Sequence, residues 1–240
     1  MTISAVLFDK DGTLIDFDAT FAPATKRVIE AVAGEDTERQ LLVADAVSFD
    51  LERVVIADKS PLIAETGAEI AAHFAMALGI TPSDQFALEI DRMFGEACAE
   101  TVIGFPFLND TLKSLDAMRI GLGILTNDAE ANAARQMEKL GALNSFSFVC
   151  GYDSGFGGKP SASPVLAGAR HFDVRPEHMM MVGDSVHDLE AAKNAGAIAV
   201  AVLSGPAARD DLSPLADYVL DDISALPALI SDLKETVAAR

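Results

Sequence analysis

The stretch VLFDKDGTLID, residues 6–16, runs from a hydrophobic segment directly into two carboxylates, Asp9 and Asp11, one residue apart. The apolar run that leads into it, ISAVLF at 3–8, is nearly continuous rather than alternating, as expected of a strand covered on both faces. A chain that ends such a strand on two like charges brings them to the mouth of its own core. Their repulsion must then be offset by something of opposite sign.

Four further apolar runs share this character: IGLGIL (120–125), FSFVC (146–150), HMMMVG (178–183) and AIAVAVL (197–203). Helical patterns separate them, over 108–119, 129–140, 162–171 and 186–195, with a last helix near 223–238. Strand–helix alternation of this kind predicts an α/β fold, a Rossmann-like doubly wound parallel sheet. From Phe17 to Phe94 the rhythm changes to helical periodicity with no convincing strand, broken at Gly34, Pro61 and Pro82. That interval is too long for a connection and reads as an inserted helical module. The expected organisation is an α/β core of residues 1–16 and 95–240, with a helical cap of residues 17–94.

The composition narrows the function. Half of the 240 residues are hydrophobic, and 18 basic residues against 37 acidic ones leave a net charge of −19. No cluster of Lys and Arg offers a surface to nucleic acid or to an anionic membrane. No apolar stretch approaches the roughly 18 residues needed to span a bilayer. With no basic segment ahead of a long apolar run, a cytoplasmic protein is expected. Cys98 and Cys150 lack metal-ligand spacing and read as small apolar residues.

In an open parallel sheet, ligands bind beyond the carboxyl ends of the strands. The first strand is followed by Asp9, Asp11, Gly12 and Thr13, and the second by Thr126, Asn127 and Asp128. Lys159 follows the third on a glycine-rich loop, and Gly183, Asp184 and Asp188 follow the fourth. A carboxylate on a stiff strand end, with no His or Ser partner nearby, suits nucleophilic attack on phosphorus. That assigns the nucleophile to Asp9 and the proton transfers to Asp11. A hard divalent cation would join the two acids, with Asp184 completing its shell, and such a ligand set suits Mg²⁺. Thr126 and the main-chain N–H groups of Asn127 and Asp128, at a helix start, form an anion site or simply a helix cap. Lys159 supplies positive charge to a phosphate. Gly12 allows a sharp turn, Thr13 can hold a carboxylate or phosphate oxygen, and Asp188 can hold Lys159 or a metal-bound water.

DKDGTLID, LTND, KP and GDSVHDLEAAKNAGA together resemble the four motifs of the haloacid dehalogenase superfamily, most closely its phosphoglycolate phosphatase branch. The resemblance implies a Mg²⁺-dependent phosphatase of small phosphorylated metabolites, monomeric or homodimeric, whose helical cap closes over the site and selects the substrate. It also implies a metal held by the Asp9 side chain, the Asp11 main-chain carbonyl and Asp184, with the phosphoryl group on Thr126 and Lys159. A phosphomutase shares these motifs. A non-catalytic phosphate-binding protein would be expected to have lost one of the four charged residues, and none is lost. Two departures stand out. The lysine motif reads KPSASP, with its second proline at Pro164. Lys10 occupies a position commonly apolar, and strand alternation predicts that it points outward.

Overall fold

The computed structural model describes residues 2–57 and 59–238. Strand β1 (Ala5–Phe8) is followed by helices α1 (Phe17–Ala33) and α2 (Thr37–Ala46) and by a short antiparallel hairpin, β2 (Phe49–Asp50) and β3 (Val55–Ile56). Helices α3 (Pro61–Ala64), α4 (Gly67–Ala77) and α5 (Asp84–Thr101) come next. The chain then alternates through α6 (Leu108–Ala117), β4 (Gly121–Leu125), α7 (Glu130–Lys139), β5 (Phe148–Cys150), α8 (Ala162–His171) and β6 (Met179–Gly183). It closes with α9 (Val186–Ala195), β7 (Ile198–Val202), α10 (Arg209–Leu212), β8 (Tyr218–Leu220) and α11 (Leu226–Ala238).

Six of these strands form one parallel sheet in the order β5-β4-β1-β6-β7-β8. Its alternating residues explain the continuous apolar runs. Ala5, Leu7, Met179, Met181, Ala199 and Ala201 belong to a cluster with Val165 and Ala169 of α8 and Leu189 and Ala192 of α9. Val6, Phe8, Met180 and Val182, which alternate with them, are buried just as completely, so the sheet is covered on both faces. From β1 the sheet grows outward to β5, then resumes at β6 on the other side of β1. That reversal leaves a crevice at the carboxyl ends of the central strands.

The chain forms two compact units, residues 1–16 with 104–240 and residues 17–103. The sequence boundary at 94/95 falls inside α5, which continues to Thr101 because Ala97 and Cys98 remain on its buried face. The helical unit has its own core, including Val28, Ile29, Val43, Phe74 and Ile90. Helices α2, α4 and α5 begin where side chains satisfy their free N–H groups. Asp36 accepts from Glu38 and Arg39, Thr66 and Glu69 form a reciprocal capping box, and Ser83 accepts from Phe86. The hairpin β2–β3 corrects the expectation of an interval without strands; two residues per strand are too few to show a period. Among the described residues no helix is long and apolar enough to cross a membrane.

Candidate active site

Phe8 pairs with Ile124 of β4 on one side and Val182 of β6 on the other, so Asp9 leaves the sheet between those strand ends. The Asp9 amide donates to Val182 O at 2.8 Å, which keeps the main chain of Asp9 tied to the sheet. Beyond it the chain folds into a tight turn. Leu14 N and Ile15 N both donate to Lys10 O, at 2.9 and 3.1 Å, and Gly12 N donates to Ile15 O at 2.9 Å. Gly12 has a φ of +76°, and a Cβ there would collide with the Asp184 carboxylate. Glycine is required twice over at this position.

Asp9 is almost fully buried, and its Oδ1 is 2.7 Å from Lys159 Nζ. Lys159 in turn lies 2.6 Å from Asp188 Oδ1. Asp188 is held by Ser185, whose N–H and hydroxyl both donate to Oδ2, at 3.0 and 2.6 Å. Thr13 donates its hydroxyl to Asp184 Oδ1 at 3.0 Å. One carboxylate oxygen each from Asp9, Asp184 and Asp188 lie within 4.8 Å of one another. Burial, with Asp188 and Asp11 adding, pushes the Asp9 carboxyl up to about 7 against the pull of Lys159. Burial and the charges of Asp9 and Asp188 hold Asp184 well above the usual carboxylate range. For Lys159 burial acts downward, but Asp188 and Asp9 outweigh it and keep the ammonium charged.

This donor set fits a divalent cation. Three crowded carboxylate oxygens suit a hard ion of Mg²⁺ type, and the like charges of Asp9, Asp184 and Asp188, held together in a buried place, are what a cation would relieve. The space beside Asp184 is kept open, since a Cβ at Gly12 or at Gly205 would strike its carboxylate.

The loop after β4 behaves differently from expectation. Helix α7 starts at Glu130, and the Asp128 amide is already used, donating to Thr126 Oγ1 at 3.0 Å. It is therefore not an open anion donor. Asn127 clasps the backbone of Lys159 from both sides: it accepts from Lys159 N at 2.8 Å and donates to Lys159 O at 3.1 Å. Its side chain sets the lysine loop. Thr126 is buried, and its hydroxyl oxygen accepts from Asp128.

Lys10 contradicts the outward reading. The strand ends at Phe8, so alternation no longer governs it, and its side chain is fully buried. Its Nζ is 2.8 Å from Asp11 Oδ1, 3.0 Å from Asp128 Oδ2 and 2.6 Å from Gln136 Oε1. The Asp11 carboxyl is raised by burial and by Asp128, with Lys10 opposing. The neutralisation that the sequence reading assigned to a metal joining the two acids is thus already shared by two lysines, Lys159 on Asp9 and Lys10 on Asp11. The sequence reading used Asp128 only through its amide and missed its carboxylate, and it missed Gln136 altogether. Gln136 lies on the buried face of α7 with Ala133 and Met137, and a glutamine in an apolar stripe was the available signal. Ser204 and Gly205 were missed too; Ser204 donates to Gly12 O at 2.7 Å and steadies the turn.

A family model described as haloacid dehalogenase-like hydrolase matches residues 3–196. The chain belongs to this family. It is 32% identical over 220 residues to a phosphoglycolate phosphatase of Salmonella typhimurium, covering 85% of this chain and 82% of that protein. Among solved structures of this fold, a Haemophilus somnus protein assigned as a phosphoglycolate phosphatase aligns with a TM-score of 0.71 at 19% identity, over 95% of this chain and 98% of its own. A Thermotoga maritima protein assigned as a β-phosphoglucomutase aligns with a TM-score of 0.69 at 23% identity, over 96% and 99%. The phosphoglycolate phosphatase-like branch of the haloacid dehalogenase family is therefore where this chain is most at home.

Proposed function

We propose that this phosphoric-monoester hydrolase is Mg²⁺-dependent, works through a phosphorylated Asp9 and takes 2-phosphoglycolate as its substrate. The observation that carries the reading is the buried Asp9 at the end of the central strand, ion-paired to Lys159 and crowded by Asp184 and Asp188. Asp9 attacks phosphorus and the bond to the leaving oxygen breaks. Asp11 gives that oxygen a proton, and then takes one from the water that releases phosphate. Lys159 exchanges part of its contact with Asp9 for the phosphoryl oxygens, and Asn127 keeps its loop in place. Thr126 donates its hydroxyl hydrogen to the phosphoryl group while its oxygen accepts from Asp128. Asp9 and Asp184 would hold the metal, with Asp188 beside them and the Asp11 main-chain carbonyl as the family resemblance implies. The bound ion would supply charge to the transferring phosphoryl group. The substrate is supported by the Salmonella relative's activity and by likeness over most of both chains.

The test is phosphate release from 2-phosphoglycolate, sugar phosphates, nucleoside monophosphates and β-glucose 1-phosphate, with Mg²⁺ and with chelator, beside Asp9→Asn. The expected result is metal-dependent release, fastest with 2-phosphoglycolate and lost in the variant. Isomerisation of β-glucose 1-phosphate without phosphate release would instead establish a mutase. Equal release by Asp9→Asn would refute the covalent mechanism.

A further inference from the structure

Lys10 has a cost that its position does not require. An apolar side chain would fill the same space without desolvating a charge, and a buried ion pair seldom outperforms a well-packed apolar replacement in stability. Its use must lie in what it holds. An ammonium has three N–H donors and no acceptor, and Asp11, Asp128 and Gln136 each present an oxygen within 3.0 Å of it. Two of those side chains are themselves anchored. Asp128 accepts through Oδ1 from Ala129 N at 2.7 Å and from Asn132 Nδ2 at 2.9 Å, at the start of α7. Gln136 lies within α7, and its amide is turned to give its oxygen to Lys10, leaving Nε2 buried without a partner. The main chain around Asp11 is already fixed by the turn closed onto Lys10 O. What remains free at Asp11 is side-chain rotation, and the 2.8 Å contact to Oδ1 restrains that.

We propose that Lys10 is a positioning residue: it grips Oδ1 of Asp11 against α7 so that Oδ2 carries the proton exchanged with the leaving oxygen. The inference rests on the reading of Asp11 as the acid. In the first step the Asp9–phosphorus bond forms, the phosphorus–oxygen bond to the alcohol breaks, and the Oδ2 proton passes to that oxygen. Without Lys10 the carboxyl rotates, and an alkoxide leaving group, which needs the proton, suffers most. A 4-nitrophenolate leaves readily without one.

The experiment compares single-turnover phosphoryl transfer from the best alkyl ester of the panel and from 4-nitrophenyl phosphate, in wild type, Lys10→Met, Asp128→Asn and Asp11→Asn. The expected result is a fall of about 10²-fold in the alkyl-to-aryl rate ratio for Lys10→Met, with the same selectivity in Asp11→Asn. Asp128→Asn, which weakens the anchor but keeps an acceptor for Ala129 N, should lower the ratio about 10-fold, and it decides the matter should Lys10→Met fail to fold. An unchanged ratio in these variants, beside a lowered ratio in Asp11→Asn, overturns the role of Lys10 while leaving Asp11 as the acid. An unchanged ratio in Asp11→Asn overturns both.

Discussion

Burial, with Asp188 and Asp11 adding, raises the Asp9 carboxyl from 3.8 to about 7, so folded and unfolded chains differ in proton uptake between about pH 4 and 7. A folded-state value above the unfolded one stabilises below the unfolded value and is lost as pH rises through the folded one. In chelator, the stability difference between wild type and Asp9→Asn should therefore move against the wild type from about pH 4 to pH 7, by a few kcal/mol at most. Urea midpoints at each pH read this directly, and a flat difference would contradict it. Mg²⁺ should reverse the trend, raising Tm more at pH 7.5 than at pH 5.5, since the ion competes with that proton. Asp188→Ala should lower stability by only about 1 kcal/mol in urea midpoints: Lys159 keeps Asp9 and the crowding of the acids eases, while the Ser185 donors lose their acceptor. The residues of this network were legible because each follows a strand in a familiar motif. Lys10 was misread because alternation was extended past Phe8, where the backbone leaves the strand. Ser204 and Gly205 lie after β7 in no motif, and only packing against Gly12 and Asp184 reveals them.

The elements show the same division between pattern and packing. Each long apolar run became a strand of the sheet, since burial on both faces leaves a continuous signature. Strand β8, three half-buried residues at the sheet edge, carries no such run and was passed over. The loop after β7 makes the clearest prediction at this scale. Gly205→Ala places a methyl where the Asp184 carboxylate lies, so it should cut turnover by about 10²-fold through displacement of that side chain. Far-ultraviolet circular dichroism should stay that of wild type. Turnover within a factor of about two would show that the loop yields instead.

For the whole molecule, a net charge of −19 opposes the approach of an anionic substrate. Added salt screens that repulsion. At saturating Mg²⁺, kcat/KM should rise severalfold between 10 and 150 mM NaCl, through association rather than kcat. A fall would mean that local positive charge governs encounter. The change of rhythm at Phe17 coincides with the start of α1, whereas residue 95 carries no such change, because α5 keeps one period across it and on to Thr101. The central place of β1 also has a consequence for the order of events at the ribosome. Its neighbours β4 and β6 are Gly121–Leu125 and Met179–Gly183, and chains emerge at roughly 5–20 residues per second. The segment Ala5–Phe8 is thus without its sheet partners for several seconds, while residues 17–103 leave the tunnel with a core of their own to assemble. Asp9 follows β1 directly, so its surroundings are complete only once β6 and the residues after it have been translated.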